Sequence, residues 1–125
     1  MKIILASKSG VRKKILDENN IENEVIGSNV NEEEVKISLI SEGATPMLIS
    51  KNLAEIKANK VSLNNPDQIV LGADSVIDLR GELISKPKTR EEALSILKKL
   101  SGKNHSLISS VCISKNAAMI WNYTD

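Results

Sequence analysis

Two hydroxyls and two cations stand close together near the start of the chain, in the run Ser7-Lys8-Ser9-Gly10-Val11-Arg12-Lys13. The run lies between a short apolar stretch and a helical pattern, so it forms the turn before a helix N-terminus. Free N–H groups and the helix dipole favour anions at such an end. The side chains predicted to contact phosphate there are Ser7, Ser9, Arg12 and Lys13. The alternative is that Ser9 only caps the helix while Arg12 and Lys13 are solvated.

An acidic residue closes the motif Gly72-Ala73-Asp74, which continues the apolar run at residues 69–71. An acid at the carboxyl end of a central strand lies where open α/β sheets bind ligands. Asp74 could hold a divalent metal through oxygen and help to activate water for attack on phosphorus. Gly72 would allow close backbone approach. The alternative is an aspartate that ends the strand by turn chemistry.

Two further lysines have unusual settings. Lys57 is next to Ile56 on the apolar stripe of a helix, so it could border a cleft. Lys86 precedes Pro87 in an extended stretch. Either could bind phosphate as a point charge, although a solvated lysine is the alternative for each.

Composition excludes several classes of protein. The 125 residues carry a net charge of +1 and include no Phe, one Trp and one Tyr, so neither a basic surface nor a stacking platform for nucleic acid is expected. The single cysteine, Cys112, cannot form an internal disulfide, which favours the cytoplasm. One histidine and one cysteine exclude multi-histidine metal cages and structural zinc. No membrane span or targeting segment is expected, since the first apolar run ends at Ser7.

The elements that must position these residues alternate between strand and helix. Strands are expected at residues 2–6, 24–26, 69–78, 83–84, 105–113 and 117–123, and helices at 11–19, 32–42, 46–62 and 90–100. Core faces are predicted for Val11, Ile15 and Leu16 in the first helix and for Ala93, Leu97 and Leu100 in the last. This alternation predicts one α/β domain over residues 1–125, a mixed twisted sheet flanked by helices.

Four segments resemble the Maf family, also called septum formation inhibitor proteins, in order and spacing: ILASKSGVRKKIL, LAEIKA, VLGADSVIDLRGELISKP and EEALSILKKLSGKNH. The resemblance implies a fold akin to the inosine triphosphatases, with the site in a cleft between two lobes, and commonly a homodimer. It also implies a nucleoside triphosphate pyrophosphatase, an enzyme that uses Mg²⁺ or Mn²⁺ to split the α–β phosphate bond and release pyrophosphate.

The resemblance assigns roles by motif position. Asp74 matches the family's proton acceptor and metal-associated acid, and Glu32, in Val30-Asn31-Glu32, matches a second metal-associated carboxylate. The residues that match phosphate-binding positions are Ser9, Arg12, Lys57 and Lys86.

Base preference is left open by the same comparison, which places Arg12 and Ser75 at specificity positions. Many members have Pro-Arg-Arg where this chain has Gly10-Val11-Arg12, so one arginine is absent. Ser75 is nearer the threonine of pyrimidine-preferring members, whereas Val11 is nearer the branch that prefers 7-methyl-GTP.

Family members continue past the position equivalent to Asp125, so the second lobe is expected to be incomplete. The hairpin at residues 105–123 should then be partly uncovered on one face, at Leu107, Val111, Ile113 and Ile120, which predicts self-association or marginal stability. The alternative to an enzyme is a non-catalytic nucleotide-binding fragment or regulator that keeps only the phosphate-side lobe.

Overall fold

The computed structural model describes residues 1–84 and 89–125, and in these residues six strands and four helices follow one another. The strands are β1 (Ile3–Leu5), β2 (Asn23–Val25), β3 (Val70–Leu79), β4 (Glu82–Ile84), β5 (Ser106–Lys115) and β6 (Ala118–Thr124). The helices are α1 (Gly10–Glu18), α2 (Glu32–Ser41), α3 (Pro46–Leu63) and α4 (Arg90–Leu100). The predicted α/β class with a mixed sheet is confirmed.

The sheet is built around β3. Its strand order is β2-β1-β3-β5-β6, and β4 also pairs with β3. One edge of β3 pairs antiparallel with β5 over residues 70–78, while the other pairs with β1 at residues 70–71 and with β4 at residues 77–79. Between β1 and β4, residues 72–76 therefore have no strand partner on that edge within the described part of the chain. The carbonyl group of Ala73 on that edge is left open to side chains from other elements.

Helix α3 covers one face of β3 and β5. Thr45 caps it by accepting a hydrogen bond from the backbone N–H of Leu48, and Pro46 occupies its first turn, where a missing N–H costs nothing. The shared core consists of small and branched apolar side chains: Ile4, Ala6, Ala54, Ala58, Val61, Val70 and Cys112. Cys112 is thus a small buried hydrophobe, as expected from its apolar surroundings in the sequence.

Gly72 allows α3 to lie unusually close to β3. A Cβ atom at this position would stand 2.3 Å from the carbonyl oxygen of Ala54 and 2.8 Å from the Cβ of Ala58. The close backbone approach predicted for Gly72 therefore occurs, and the approaching group is the helix α3. It brings the next turn of α3, which carries Lys57, against the strand beside Asp74.

Two predicted core faces are wrong. Val11 and Ile15 of α1 are 70% and 52% exposed, and only Leu16 of that helix is buried. In α4, Leu97 is 64% exposed and no residue is buried. The period of apolar residues indicates which side of a helix is apolar, but it carries no information on whether another element covers that side.

The outer hairpin of β5 and β6 exposes apolar side chains, as expected, but not all of them on one face: Ile113 pairs with Trp121, so Ile120 lies on the opposite face from Ile113. Leu107 and Ile120 are 67% and 60% exposed, while Val111 and Ile113 are half-buried. The aromatic rings of Trp121 and Tyr123 stack with their centres 6.4 Å apart on β6. Across the described ranges, no helix has the length and hydropathy to cross a bilayer.

We expect Gly72→Ala to lower the free energy of unfolding by about 2 kcal/mol, because the new methyl group meets the backbone of α3 and forces the helix outward. Gly10→Ala is the matched control, since a Cβ there has no neighbour within 4 Å. Urea unfolding of both variants measures the difference. Equal stability of the two variants would contradict the role assigned to Gly72.

Candidate functional site

The Lys57 ammonium lies between two carboxylates. Its Nζ atom is 3.1 Å from Oδ1 of Asp74 and 2.5 Å from Oε1 of Glu32, and it donates to the carbonyl oxygen of Ala73 at 3.4 Å. The side chains of Lys57 and Asp74 are only 10% and 9% exposed. The three N–H groups of the ammonium thus match three oxygen acceptors.

Three elements bring this cluster together. Lys57 follows Leu53 by one helical turn, so it lies on the buried face of α3 that packs on the sheet. Glu32 opens α2, which is capped by the Asn31 side chain through the N–H of Glu34 at 3.2 Å. Asp74 lies two residues after Gly72 on the face of β3 that α3 covers, so its side chain points toward the helices.

Arg12 joins the turn before α1 to the same part of β3. Its Nη1 atom donates to Ser7 Oγ at 3.0 Å and to the carbonyl oxygen of Ala73 at 3.2 Å, and Nη2 donates to Ser75 Oγ at 3.5 Å. Ser9 caps α1 by accepting from the N–H of Arg12 at 3.4 Å. Ala73 therefore accepts hydrogen bonds from both Arg12 and Lys57, in place of a neighbouring strand.

Two cavities meet at Ser9 and Arg12, which line both. The first, the polar cavity, has a volume of about 330 Å³. Among its described lining residues, Glu32 is the one carboxylate beside three cations, Lys8, Arg12 and Lys57. This charge balance favours an anion.

The second cavity, the apolar cavity, has a volume of about 440 Å³ and lies between α1 and the exposed face of the sheet. Its apolar walls are Leu5, Val11, Ile15, Leu16, Leu71 and Val111. Asp74 and Ser75 line it near Arg12, and Ser75 shares a hydrogen bond of 3.0 Å with Ser109. Such a surface suits a flat, weakly polar group with a few hydrogen-bonding edges.

Most of the site residues predicted from sequence converge here. The polar cavity and the Lys57 cluster beside it contain Ser7, Ser9, Arg12, Glu32, Lys57 and Asp74, and Ser75 lines the adjoining apolar cavity. Lys13 does not join them, because its ammonium contacts Asp17 at 3.4 Å and Asn23 at 3.0 Å on the outer side of α1. Lys86 lies outside the described residues.

Sequence reasoning missed Lys8 and Ser109. Lys8 could have been found, because it stands in the same turn as Ser7 and Ser9. Ser109 had no signal in the sequence, since only the antiparallel register of β3 and β5 places it opposite Ser75.

Burial raises the pKa of the Asp74 carboxyl above its ordinary value of 3.8; the Lys57 ammonium opposes this and the nearby Glu32 carboxylate adds to it. A carboxylate with a raised pKa is a better proton acceptor than one with an ordinary pKa. Asp74 therefore has the electrostatic setting of a general base.

The donor set also fits a divalent cation. Oδ2 of Asp74 is buried and lacks a hydrogen-bond partner in the part of the chain that the structure describes. The described residues contain no group of three or more His, Cys, Asp or Glu side chains arranged for a metal. Asp74 and Glu32 would thus supply two carboxylates, and the remaining ligands would be water and ligand oxygens, as is usual for Mg²⁺.

The chain is similar to proteins of one family. The family model described as Maf-like protein matches residues 2–124. A nucleoside triphosphate pyrophosphatase of Pelagibacter ubique (strain HTCC1062) is 68% identical over 98% of this chain and 63% of its own length. A 7-methyl-GTP pyrophosphatase of Brucella abortus is 37% identical over 98% of this chain and 62% of its own length.

A third relative, a dTTP/UTP pyrophosphatase of Aquifex aeolicus, is 42% identical over 90% of this chain and 56% of its own length. The chain thus spans about 60% of the length of the curated relatives it matches. Among solved structures, a HAM1 protein from Coxiella burnetii has a TM-score of 0.59 at 18% identity, covering 99% of this chain and 68% of that one. At this identity the likeness shows the fold alone.

We expect the Asp74 carboxyl to titrate above pH 3.8 in ¹³C NMR, and Lys57→Met to raise its pKa further by removing the cation that opposes burial. Because the folded state favours the protonated form, the stability that this group contributes is present below pH 3.8 and is lost as pH rises through the folded-state pKa. Lys60→Met is the control, as Lys60 donates to the Asn29 carbonyl oxygen. A pKa at or below 3.8 would contradict the assignment.

Proposed function

The chain belongs to the Maf-like protein family, and on this basis we propose that it hydrolyses the bond between the α- and β-phosphates of a nucleoside triphosphate. The products are a nucleoside monophosphate and pyrophosphate. The observation that carries the proposal is the cluster of Asp74, Lys57 and Glu32 at the wall of a cavity lined by cations. The pyrophosphatase names of the relatives support it.

The triphosphate would occupy the polar cavity. Its anionic oxygens would be bound by the Ser7 and Ser9 hydroxyls, by the Arg12 guanidinium as a planar fork, and by the Lys57 ammonium. Lys8 adds a third cation to this wall. Lys86 remains a proposed phosphate ligand on the strength of its motif alone, whereas Lys13 is left out because it is paired on the outer side of α1.

The base would enter the apolar cavity, which adjoins the polar cavity at Arg12. Arg12 and Ser75 are the proposed specificity residues, because their polar groups stand where the two cavities meet. The relatives carry names for both 7-methyl-GTP and dTTP/UTP substrates, so a pyrimidine or a methylated guanine is the proposed base class.

In the reaction, Asp74 would accept the proton of the water that attacks phosphorus, and pyrophosphate would leave with the electron pair of the broken P–O bond. A divalent metal, Mg²⁺ or Mn²⁺, held by Asp74 and Glu32 would supply charge neutralisation at the phosphate oxygens. Arg12 and Lys57 hold the phosphates in place. Burial keeps the Asp74 carboxylate basic enough to take the proton.

The binding partners that we propose are those predicted from the sequence. The nucleotide is the proposed ligand, and neither nucleic acid nor membrane is expected to bind. The exposed face of β5 and β6 is compatible with the predicted homodimer or other self-association. The cytoplasmic location inferred from the lone cysteine also stays a prediction.

We expect Asp74→Asn to lower pyrophosphate release at least ~100-fold, because the amide neither accepts the proton nor carries the charge that a metal needs. Asp78→Asn is the matched control on the same strand, since Asp78 accepts from the N–H of Gly81 in the β3–β4 turn. A coupled pyrophosphate assay with UTP, dTTP, 7-methyl-GTP and ATP measures both. Unchanged turnover in Asp74→Asn would overturn the assignment, and nucleotide binding by the unmodified chain without turnover would favour the non-catalytic alternative.

Arg12→Ala should weaken binding of a triphosphate more than binding of the matching nucleoside, by roughly 1.5–3 kcal/mol, because it removes charge-assisted hydrogen bonds to phosphate. Lys13→Ala, at the next position along the helix, should leave both affinities unchanged, since Lys13 contacts Asp17 and Asn23 instead. Calorimetry with uridine and α,β-methylene-UTP compares them. Equal losses for both ligands in Arg12→Ala would indicate structural damage and contradict the phosphate role.

A further inference from the structure

The Lys57 ammonium is surrounded by oxygen atoms, as a bound metal cation would be. Its Nζ atom is surrounded by Oδ1 of Asp74, Oε1 of Glu32 and the carbonyl oxygen of Ala73, at 3.1, 2.5 and 3.4 Å, so oxygens from two carboxylates and the backbone converge on one positive charge. The ammonium is nearly buried, and little water screens it. The two carboxylates that would hold a divalent metal therefore already share one positive charge that the protein itself supplies.

A metal ion on Oδ2 of Asp74, which has no hydrogen-bond partner among the described residues, and the ammonium on Oδ1 would repel each other strongly, because two positive charges would share one carboxylate in a poorly screened setting. Metal binding is therefore much weaker while the ammonium stays in place than when it moves to other acceptors. Moving it without a replacement anion would leave a buried lysine uncompensated, which is costly.

The polar cavity offers the replacement. Lys57 lines this cavity together with Arg12 and Lys8, so a phosphate group bound there would lie beside the ammonium. A polyphosphate supplies several anionic oxygens at once, which compensates Lys57 while the carboxylates are released.

We propose that Lys57 keeps free divalent metal away from Asp74 and Glu32 until nucleotide phosphate draws its ammonium aside, so that metal and nucleotide bind cooperatively. This inference rests on the proposed function in taking a nucleotide as the source of phosphate and in taking Asp74 and Glu32 as the carboxylates that hold the metal. By thermodynamic linkage, the metal must favour nucleotide binding by the same factor. The chain alone is then a weak metal binder despite its two convergent carboxylates.

The first test is binding of Mn²⁺ alone, measured by electron paramagnetic resonance in the absence of any nucleotide. Lys57→Met should bind Mn²⁺ at least ~10-fold more tightly than the unmodified chain, because the competing charge is gone. Lys60→Met is the control from the same helix and should bind as the unmodified chain does, since Lys60 contacts the Asn29 carbonyl oxygen. Adding Asp74→Asn to Lys57→Met should remove the gain.

Equal Mn²⁺ affinity of Lys57→Met and the unmodified chain would overturn the proposal. If Lys57→Met does not fold by circular dichroism, the ¹⁵N NMR signal of the Lys57 ammonium in the unmodified chain decides instead. Millimolar Mg²⁺ alone should leave that signal in place, whereas Mg²⁺ with α,β-methylene-UTP should shift it. A shift of equal size with Mg²⁺ alone would overturn the proposal.

These readouts are independent of turnover. A chain that releases no pyrophosphate but shows the Mn²⁺ gain in Lys57→Met would contradict the proposed function and support the role of Lys57. A chain that turns over nucleotide but shows no gain in Mn²⁺ affinity in Lys57→Met would support the proposed function and contradict the role of Lys57.

Discussion

The closeness of α3 to β3 determines most of what the site can do. Because Gly72 has no side chain, the helix backbone rests on the strand, and Lys57 reaches both Asp74 and the carbonyl oxygen of Ala73 from a position that would otherwise be core. A buried lysine is tolerated when it is fully hydrogen-bonded to opposite charge. The ion pair, the raised pKa of Asp74 and the arrangement of the polar cavity all depend on this one packing distance.

The site also depends on the edge of β3 that has no strand partner at residues 72–76 in the described part of the chain. Strand β1 ends beside residue 71, and the antiparallel β4 pairs with residues 77–79, so the carbonyl group of Ala73 is satisfied by Arg12 and Lys57 instead of a ladder bond. A backbone acceptor cannot be removed by changing a side chain. Both cations are therefore positioned by an atom that every residue at position 73 would supply.

The sequence was sufficient for the elements and for much of the site, because both leave local signals. Capping residues marked the starts of α2, α3 and α4, and Lys57 was recognisable as a cation next to an apolar stripe. What lay beyond prediction depends on tertiary contacts. Arg12 and Lys13 are chemically alike and adjacent, yet the step of one residue along a helix separates their directions by about 100°. Only the fold shows that the first faces the sheet and the second faces Asp17. The exposure of Val11 and Leu97 was missed for the same reason.

Arg12 forms the wall that the polar and apolar cavities have in common, together with Ser9. A substitution of Arg12 alters the contacts to both the base and the phosphates, so base selectivity and phosphate binding change together at this position. Substitutions can change the preferred base without weakening phosphate binding when they fall on side chains that line the apolar cavity and not the polar cavity. Ser109 and Val111 on β5 are of this kind, which makes that strand the natural site of divergence among proteins built on this plan.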